Sequence, residues 1–188
     1  MKLVEPEKVF RYLGGDSARY YELIDEIITG LTARFENFCN REFSKAERTI
    51  YYNGGRKYYY LPAYPIDLSA NLEVTVLGTT YTKDSEYYVW EEDGLIEFVT
   101  APTVSLPKSV KIIWTGGYTV RTDGVIQVPD ALQRACILQT AFEFRRRNDV
   151  GITSVSMPDG SITVDSPTEL LPEVRRILRQ YRRYPNVY

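Results

Sequence analysis

Thr49-Ile50-Tyr51-Tyr52-Asn53-Gly54-Gly55 opens a block that closes on Trp114-Thr115-Gly116-Gly117-Tyr118, and the reading of that block decides the fold. From position 49 to about 125 the apolar residues alternate, and turn residues interrupt them at short intervals, which is the pattern of antiparallel strands. Asn53-Gly54-Gly55 reads as a tight hairpin between strands 49–52 and 56–61, because Asn and Gly accept positive φ where other residues are strained. Asp93-Gly94 reads the same way between strands 87–90 and 95–99. Pro62 and Pro65 end the first pairing, and 72–77 and 110–114 supply further strands, a number that suits a small sandwich or barrel. Tyr51, Tyr59, Tyr81 and Trp90 read first as β-formers that pack across strands.

On the N-terminal side the spacing predicts a short helix over 5–13, stopped by Gly14-Gly15. A longer helix follows, capped by Asp16 or Ser17 and running to about Glu42. Ile24, Ile27, Ile28, Leu31, Phe35 and Phe38 recur at three- and four-residue steps and form one apolar face. Glu22, Asp25, Glu26 and Glu36 lie opposite as an acidic stripe, which as a bare pattern is a solvated helix face.

On the C-terminal side Val128-Pro129 leads into a helix over about 130–147. Ala131, Leu132, Ala135, Leu138 and Phe142 share one face, while Ile137, Ala141 and Phe144 make a second apolar stripe. Such a helix is buried on two sides, either in its own bundle or against another subunit. The stretch 148–171 reads as a hairpin arm or a loop, whose Ile152, Val155, Ile162 and Val164 are too few to build a core alone. A partner subunit could complete it by strand addition. The last helix begins near Pro172, with Val174, Ile177, Leu178 and Tyr181 on one face and Arg175, Arg176, Arg179, Arg182 and Arg183 on the other. The arginine face reads either as charge matched to the helix dipole or as a basic docking element, and the tail Tyr184-Pro185-Asn186-Val187-Tyr188 adds aromatic anchors.

The expected architecture is α+β. A helical bundle is formed by 1–46 and 127–188, with an arm at 149–170, and an antiparallel β sandwich or barrel-like lobe is inserted at 47–126. A chain of 188 residues has room for one such bundle and lobe. The formal charge of -2 argues against a dedicated nucleic-acid binder.

Histidine is absent from the sequence, which removes Ser-His-Asp and Cys-His constellations. Cys39 and Cys136 each fall within an apolar helical pattern, far apart and without zinc-ligand spacing. The glycine pairs lack the Gly-Lys-Ser/Thr ending of a phosphate loop. Glu91-Glu92-Asp93 is a tight carboxylate run, but it sits where a hairpin turn is expected. No catalytic residue, metal ligand or cofactor is therefore assigned, and the chain reads as a surface that binds. The N-terminus lacks the apolar core of a signal peptide, and no stretch approaches the ~20 apolar residues of a membrane span, so no membrane association is expected.

The ordered set of short motifs resembles the head-tail connector proteins of tailed bacteriophages, the head-completion adaptors that dock beneath the portal. The resemblance runs through Val9-Phe10-Arg11-Tyr12-Leu13-Gly14, Leu23-Ile24-Asp25-Glu26-Ile27-Ile28 and Phe38-Cys39-Asn40-Arg41-Glu42-Phe43. It continues in Thr49-Ile50-Tyr51-Tyr52-Asn53-Gly54, Leu61-Pro62-Ala63-Tyr64-Pro65-Ile66, Asp93-Gly94-Leu95-Ile96, Trp114-Thr115-Gly116-Gly117-Tyr118, Val128-Pro129-Asp130-Ala131-Leu132 and the arginine-rich helix. It implies a structural virion protein at the head-tail junction, present in the host cytoplasm during assembly. The implied partners are copies of itself in a ring commonly of twelve subunits, the portal protein, the next neck or tail protein, and genomic DNA passing through the channel without sequence-specific binding.

Under that resemblance, Ile137, Ala141 and Phe144 with Ile152, Val155, Ile162 and Val164 are expected at the subunit interface. Glu22, Asp25, Glu26 and Glu36 are expected to face the channel, where carboxylates keep DNA phosphates from sticking. Arg175, Arg176, Arg179, Arg182, Arg183, Tyr184 and Tyr188 are expected to dock on the portal. Compact members of the family lack a large β insertion. Two other readings stand beside this one: a carbohydrate- or receptor-binding module that stacks its ligand on Tyr58, Tyr60, Tyr87 or Trp90, and a small nucleic-acid binder that uses the arginine helix.

Overall fold

The computed structural model describes residues 1–14, 18–102, 106–147, 154–157, 160–163 and 169–183, with backbone alone at 18, 154–157 and 160–163. The chain divides into two compact units: Met1–Cys39 with Thr122–Arg182, and Asn40–Arg121 with Arg183.

The helical unit is built on α1 (Pro6–Leu13), a 3-10 turn (Ala18–Tyr20), α2 (Tyr21–Cys39), α3 (Asp130–Arg145) and α4 (Pro172–Gln180). The positions expected to cap α2, Asp16 and Ser17, lie outside the described residues. The helix stops at Cys39 rather than near Glu42, because Asn40 turns to a left-handed φ of 48°, which Asn tolerates better than most residues. Ile24, Ile28, Leu31, Phe35 and Cys39 form its buried face, with Ile27 and Phe38 half-buried on the flanks.

Helix α3 packs against α1, α2 and α4, so three neighbours surround it. Its buried face is Leu132, Ala135, Cys136, Gln139, Thr140 and Ala141. Ala141, one of the expected interface residues, is 3% exposed within its own chain. Phe144 is half-buried: it meets Tyr20 edge-on at 5.3 Å and lies under the Arg147 guanidinium at 4.3 Å. Ile137 is half-buried.

Gln139 is wholly buried in that face and acts as a surrogate backbone group. Its Oε1 accepts the Leu171 N–H at 2.9 Å, and its Nε2 donates to the Glu169 carbonyl at 2.9 Å, fixing the chain as it enters α4. Both cysteines are core residues; burial pushes the Cys136 thiol up to about 12, and Cys39 Sγ donates to the Leu178 carbonyl. The N-terminal residues add a short pairing to the same unit, with Lys2 N–H bonded to the Gly124 carbonyl at 3.1 Å and Ile126 N–H to the Lys2 carbonyl at 2.8 Å.

The second unit carries β1 (Ala46–Tyr52), β2 (Tyr58–Tyr60), β3 (Glu73–Val76), β4 (Thr79–Tyr81), β5 (Tyr87–Trp90), β6 (Leu95–Phe98) and β7 (Val110–Gly116). They form two antiparallel sheets, ordered β1-β7-β3-β4 and β2-β6-β5. Tyr59, Leu61, Val74, Tyr87, Ile96, Phe98, Ile112 and Trp114 meet in one core, each large side chain contributing roughly 1.5–3 kcal/mol through burial. Among the described residues the lobe is therefore an open, sandwich-like pair of sheets, and no closed barrel forms. With the four helices it makes the chain α+β.

One expected pairing is overturned. Asn53-Gly54-Gly55 joins no hairpin: β1 pairs with β7, in the register Tyr52↔Val110, and β2 pairs with β6. The turn is a corner between sheets, held by Asn53 Oδ1 on the Lys108 N–H at 3.1 Å and by the Gly54 N–H on Ser109 Oγ at 2.8 Å. The Asp93-Gly94 hairpin forms as read, with Trp90 opposite Leu95. Gly116 and Gly117 are required by close approach: a Cβ at Gly116 would lie 2.4 Å from the Ala63 carbonyl, and at Gly117 (φ 109°) 2.5 Å from that of Ser44. Trp114 Nε1 donates to the same Ala63 carbonyl at 3.0 Å.

The arm is a hairpin of β8 (Ser154–Met157) and β9 (Gly160–Thr163), in the register Ser154↔Thr163 and Val155↔Ile162. Among the described residues these strands pair only with each other. Ile152 and Val164 lie outside the described residues.

Candidate interaction surfaces

Proline at the first position and Glu173 in the first turn start α4, and Val174 and Leu178 anchor its apolar side in the bundle. The opposite side presents Arg176 and Arg179 to solvent. Arg175 is half-buried, 3.5 Å from a Glu169 carboxylate oxygen, and the exposed Arg182 has its guanidinium 5.7 Å from the Phe38 ring centre. Tyr184 and Tyr188 lie outside the described residues.

Arg183 does not belong to that row. It falls beyond the end of α4 and belongs to the β unit, where it donates to the Asp93 carbonyl and lies 4.3 Å from the Tyr64 ring centre and 5.1 Å from that of Tyr60. Arg41 is buried against the same tyrosine, its guanidinium 3.3 Å from the Tyr64 ring centre and 4.9 Å from that of Tyr118, and it donates to the Tyr64 carbonyl. The Nε atoms of both arginines are buried without an acceptor. Ring faces thus supply part of what a carboxylate would supply elsewhere. Burial pushes the Arg183 guanidinium below its ordinary pKa, and the like charge of Arg41 acts in the same direction. Gly94 makes the stack sterically feasible: it holds φ at 58°, and a Cβ there would come within 2.7 Å of Tyr64 Cβ and 3.0 Å of Arg183 Nη2.

The acidic stripe of α2 is not uniform. Glu22 and Glu26 are exposed. Asp25 is ion-paired with Lys2, whose pKa rises chiefly through that hydrogen bond, so its charge is locally matched. Glu36 is half-buried.

The outer face of the β2-β6-β5 sheet carries exposed Tyr58, Tyr60, Tyr88 and Trp90. Tyr87, one of the aromatics read as an exposed stacking platform, points the other way and packs on Phe98, with 2% of its surface exposed. Strand alternation accounts for the exchange, since burying Tyr87 turns Tyr88 outward. Glu97 sits among these rings, accepting from Trp90 Nε1 at 3.1 Å and pairing with Lys57 at 3.0 Å; the Lys57 bond, and then that of Trp90, hold its carboxyl below the usual range. Sequence reasoning missed Tyr88, Gln139 and the role of Arg41. Arg41 alone stood inside a quoted motif, Cys39-Asn40-Arg41-Glu42-Phe43.

Among the described residues no group of three or more Cys, Asp or Glu is placed to hold a metal ion. A shallow hollow of about 280 Å³ is lined by Tyr81, Ser85, Glu86, Val99, Thr100, Ala101 and Pro102, with Glu86 as its only carboxylate. Among the described residues no helix is long and apolar enough to cross a membrane.

A family model described as head completion protein matches residues 2–184. None of the curated proteins matches the chain. Among solved structures it is similar to a chain of the neck of an empty GTA particle computed with C6 symmetry, at 16% identity and TM-score 0.57, covering 92% of this chain and 84% of that one. It is also similar to a chain of the neck of the native GTA particle computed with C12 symmetry, at 14% identity and TM-score 0.53, covering 100% and 96%. A chain of the virion of the native gene transfer agent particle matches at 16% identity and TM-score 0.50, covering 92% and 81%.

Proposed function

The chain belongs to the head completion protein family, and on that premise we propose that it is a structural adaptor of the particle neck. It assembles as a ring beneath the portal, closes the DNA-filled head and offers a platform to the next neck or tail protein. The observation that carries this reading is the extent of the family match, 2–184, which spans both the helical unit and the β unit. The fold shared with neck chains from particles computed with C6 and C12 symmetry supports a ring, with twelve copies as the favoured number. Its place is the head-tail junction of the virion, reached from the host cytoplasm during assembly. The role asks for binding surfaces and no reaction.

The hairpin β8–β9 is the lateral element of that ring. A two-stranded hairpin alone is marginal in water, and this one adds to no other strand of the described chain, so a neighbouring subunit is its natural support. Val155 and Ile162 are direct cross-strand partners within it. Ile152 and Val164 flank it in sequence, and the half-buried Ile137 and Phe144 remain the α3 contribution to the same interface.

Arg175, Arg176, Arg179 and Arg182 dock on carboxylates of the portal, with Tyr184 and Tyr188 following in the tail. Single exposed ion pairs contribute about 0–1 kcal/mol, but a row of them repeated around a ring gains avidity. Glu22 and Glu26 face the channel, where their charge repels phosphate and lets DNA slide without sequence-specific binding. Asp25, matched by Lys2, contributes less to that field.

Native mass measurement of the chain with and without a portal ring tests the proposal. A ring of chains recruited onto the portal is the expected outcome, whether or not the free chain is monomeric. A chain that joins no portal or neck assembly contradicts it.

A further inference from the structure

The outer face of the β2-β6-β5 sheet has no part in the roles above. Its register places Tyr58, Glu97 and Tyr88 in one row across the three strands, and Tyr60, Leu95 and Trp90 in the next. Directly opposed residues share a face, and neighbouring strands lie about 4.8 Å apart. Four exposed rings therefore stand at the corners of one patch, around Glu97 and the half-buried Leu95. Exposed apolar residues scattered singly need no explanation, whereas a contiguous rimmed patch marks an interaction site.

The rim of this patch is anionic. Glu91, Glu92 and Asp93 form the turn from β5 to β6 and are all exposed. None of the ion pairs among the described residues involves Glu91 or Glu92. The chain itself shows what these rings accept. The Lys57 ammonium lies 5.5 Å from the Tyr58 ring centre while pairing with Glu97, and the Arg183 guanidinium lies 5.1 Å from that of Tyr60 while donating to the Asp93 carbonyl. Among the described residues no cation covers Tyr88 or Trp90 in the same way.

We propose that Tyr88, Trp90, Glu91 and Glu92 form a docking surface for an arginine-bearing segment of a partner protein. Its cations lie over the two uncovered rings, and the turn carboxylates meet its charge. A guanidinium fits better than an ammonium because it stacks on the ring while donating in its own plane. Duplex DNA is disfavoured by the same carboxylates, and a neutral glycan would use the rings while leaving the acidic rim without a purpose. The surface lies wholly within the β unit, so it stands or falls independently of ring formation and of portal docking by α4.

Trp90 is 52% exposed and Trp114 1%, and these are the only tryptophans, so intrinsic fluorescence reports on the patch directly. The full chain is titrated with an end-blocked Gly-Arg-Gly-Arg-Gly-Arg-Gly peptide at low ionic strength, with Trp90→Phe supplying the Trp114 background. A saturable change is expected, weakened about fivefold by Glu91→Gln with Glu92→Gln and by a similar factor by Tyr88→Ala, and largely lost in 0.5 M salt. Circular dichroism and the melting temperature establish that each variant is folded. The same peptide with Glu in place of Arg, cellohexaose, and a 12-base-pair duplex are expected to give no response. Absence of saturation, binding indifferent to the two carboxylates, or binding of the sugar or the duplex in place of the peptide overturns the proposal. Self-association of the free chain abolished by Trp90→Ala assigns the face to a second copy and likewise overturns it.

Discussion

The guanidinium of Arg183 lies 4.3 Å from the centre of the Tyr64 ring, on a tyrosine whose face also carries Arg41 at 3.3 Å. Two cations share one ring, with Gly94 leaving the space in which Tyr64 and Arg183 approach. The residue that helical periodicity places last in an exposed arginine row is instead a packing element of the β unit.

Arg183→Ala is expected to destabilise the β unit by about 1–2 kcal/mol, from the lost ring contacts and the bond to the Asp93 carbonyl. Arg183→Lys restores only part of this, because an ammonium cannot stack on Tyr64 and donate in plane together. Urea unfolding of the two variants checks the order. If both match the parent, the stack carries no stability.

Gln139→Leu keeps the volume but leaves the Leu171 N–H and the Glu169 carbonyl without their partner. A cost of about 1–3 kcal/mol is expected, concentrated at the entry to α4. Amide hydrogen exchange at Leu171 should accelerate well beyond that in the centre of α2. Uniform acceleration throughout the helical unit would place the effect elsewhere.

Hydrogen bonds from Lys45, and then from Ser69, hold the Asp67 carboxyl at about 2, below its usual 3.8. A depressed folded pKa means that the contribution of the pair is fully present above the unfolded value and is lost as the pH falls through about 2. The carboxyl resonance of Asp67 should titrate near that value, and Lys45→Met should move its midpoint upward. A midpoint unchanged by removal of Lys45 would show that the pair does not form in solution. The site is open to solvent, so global stability should change little.

Deleting 154–163 should leave both units folded, with melting little changed, while rings fail to assemble on a portal. Each buried apolar side chain of the arm is worth roughly 1.5–3 kcal/mol at an interface repeated around the ring. Normal rings without the hairpin would remove it from the interface.

Much of the fold is legible in the sequence because burial has a period. The spacing of Ile24, Ile28, Leu31 and Phe35 marks α2, alternation along β7 puts Val110, Ile112 and Trp114 inward, and Asp93-Gly94 makes the hairpin read from it. What was illegible is pairing at long range. Asn53-Gly54-Gly55 has the residues of a hairpin turn, yet Tyr52 pairs with Val110 across the lobe, and a local signal cannot reveal a partner so distant in sequence.

Which side chains face water is less legible, for the same physical reason. Whether Tyr87 or Tyr88 faces water is a question of strand parity, which Phe98 settles by packing against Tyr87. Whether Ala141 meets a neighbouring subunit or its own bundle depends on how many helices surround α3, and periodicity along one helix does not count its neighbours.

The central claim, that this chain is a ring-forming adaptor of the neck, is tested most directly by cryo-electron microscopy of the head-tail junction in particles that carry it. The account predicts a closed ring of copies directly beneath the portal, with α4 toward the portal and the β8–β9 hairpin lying on the adjacent subunit. A neck in which this fold is absent from the ring below the portal, in particles that are nevertheless full and tailed, would contradict it.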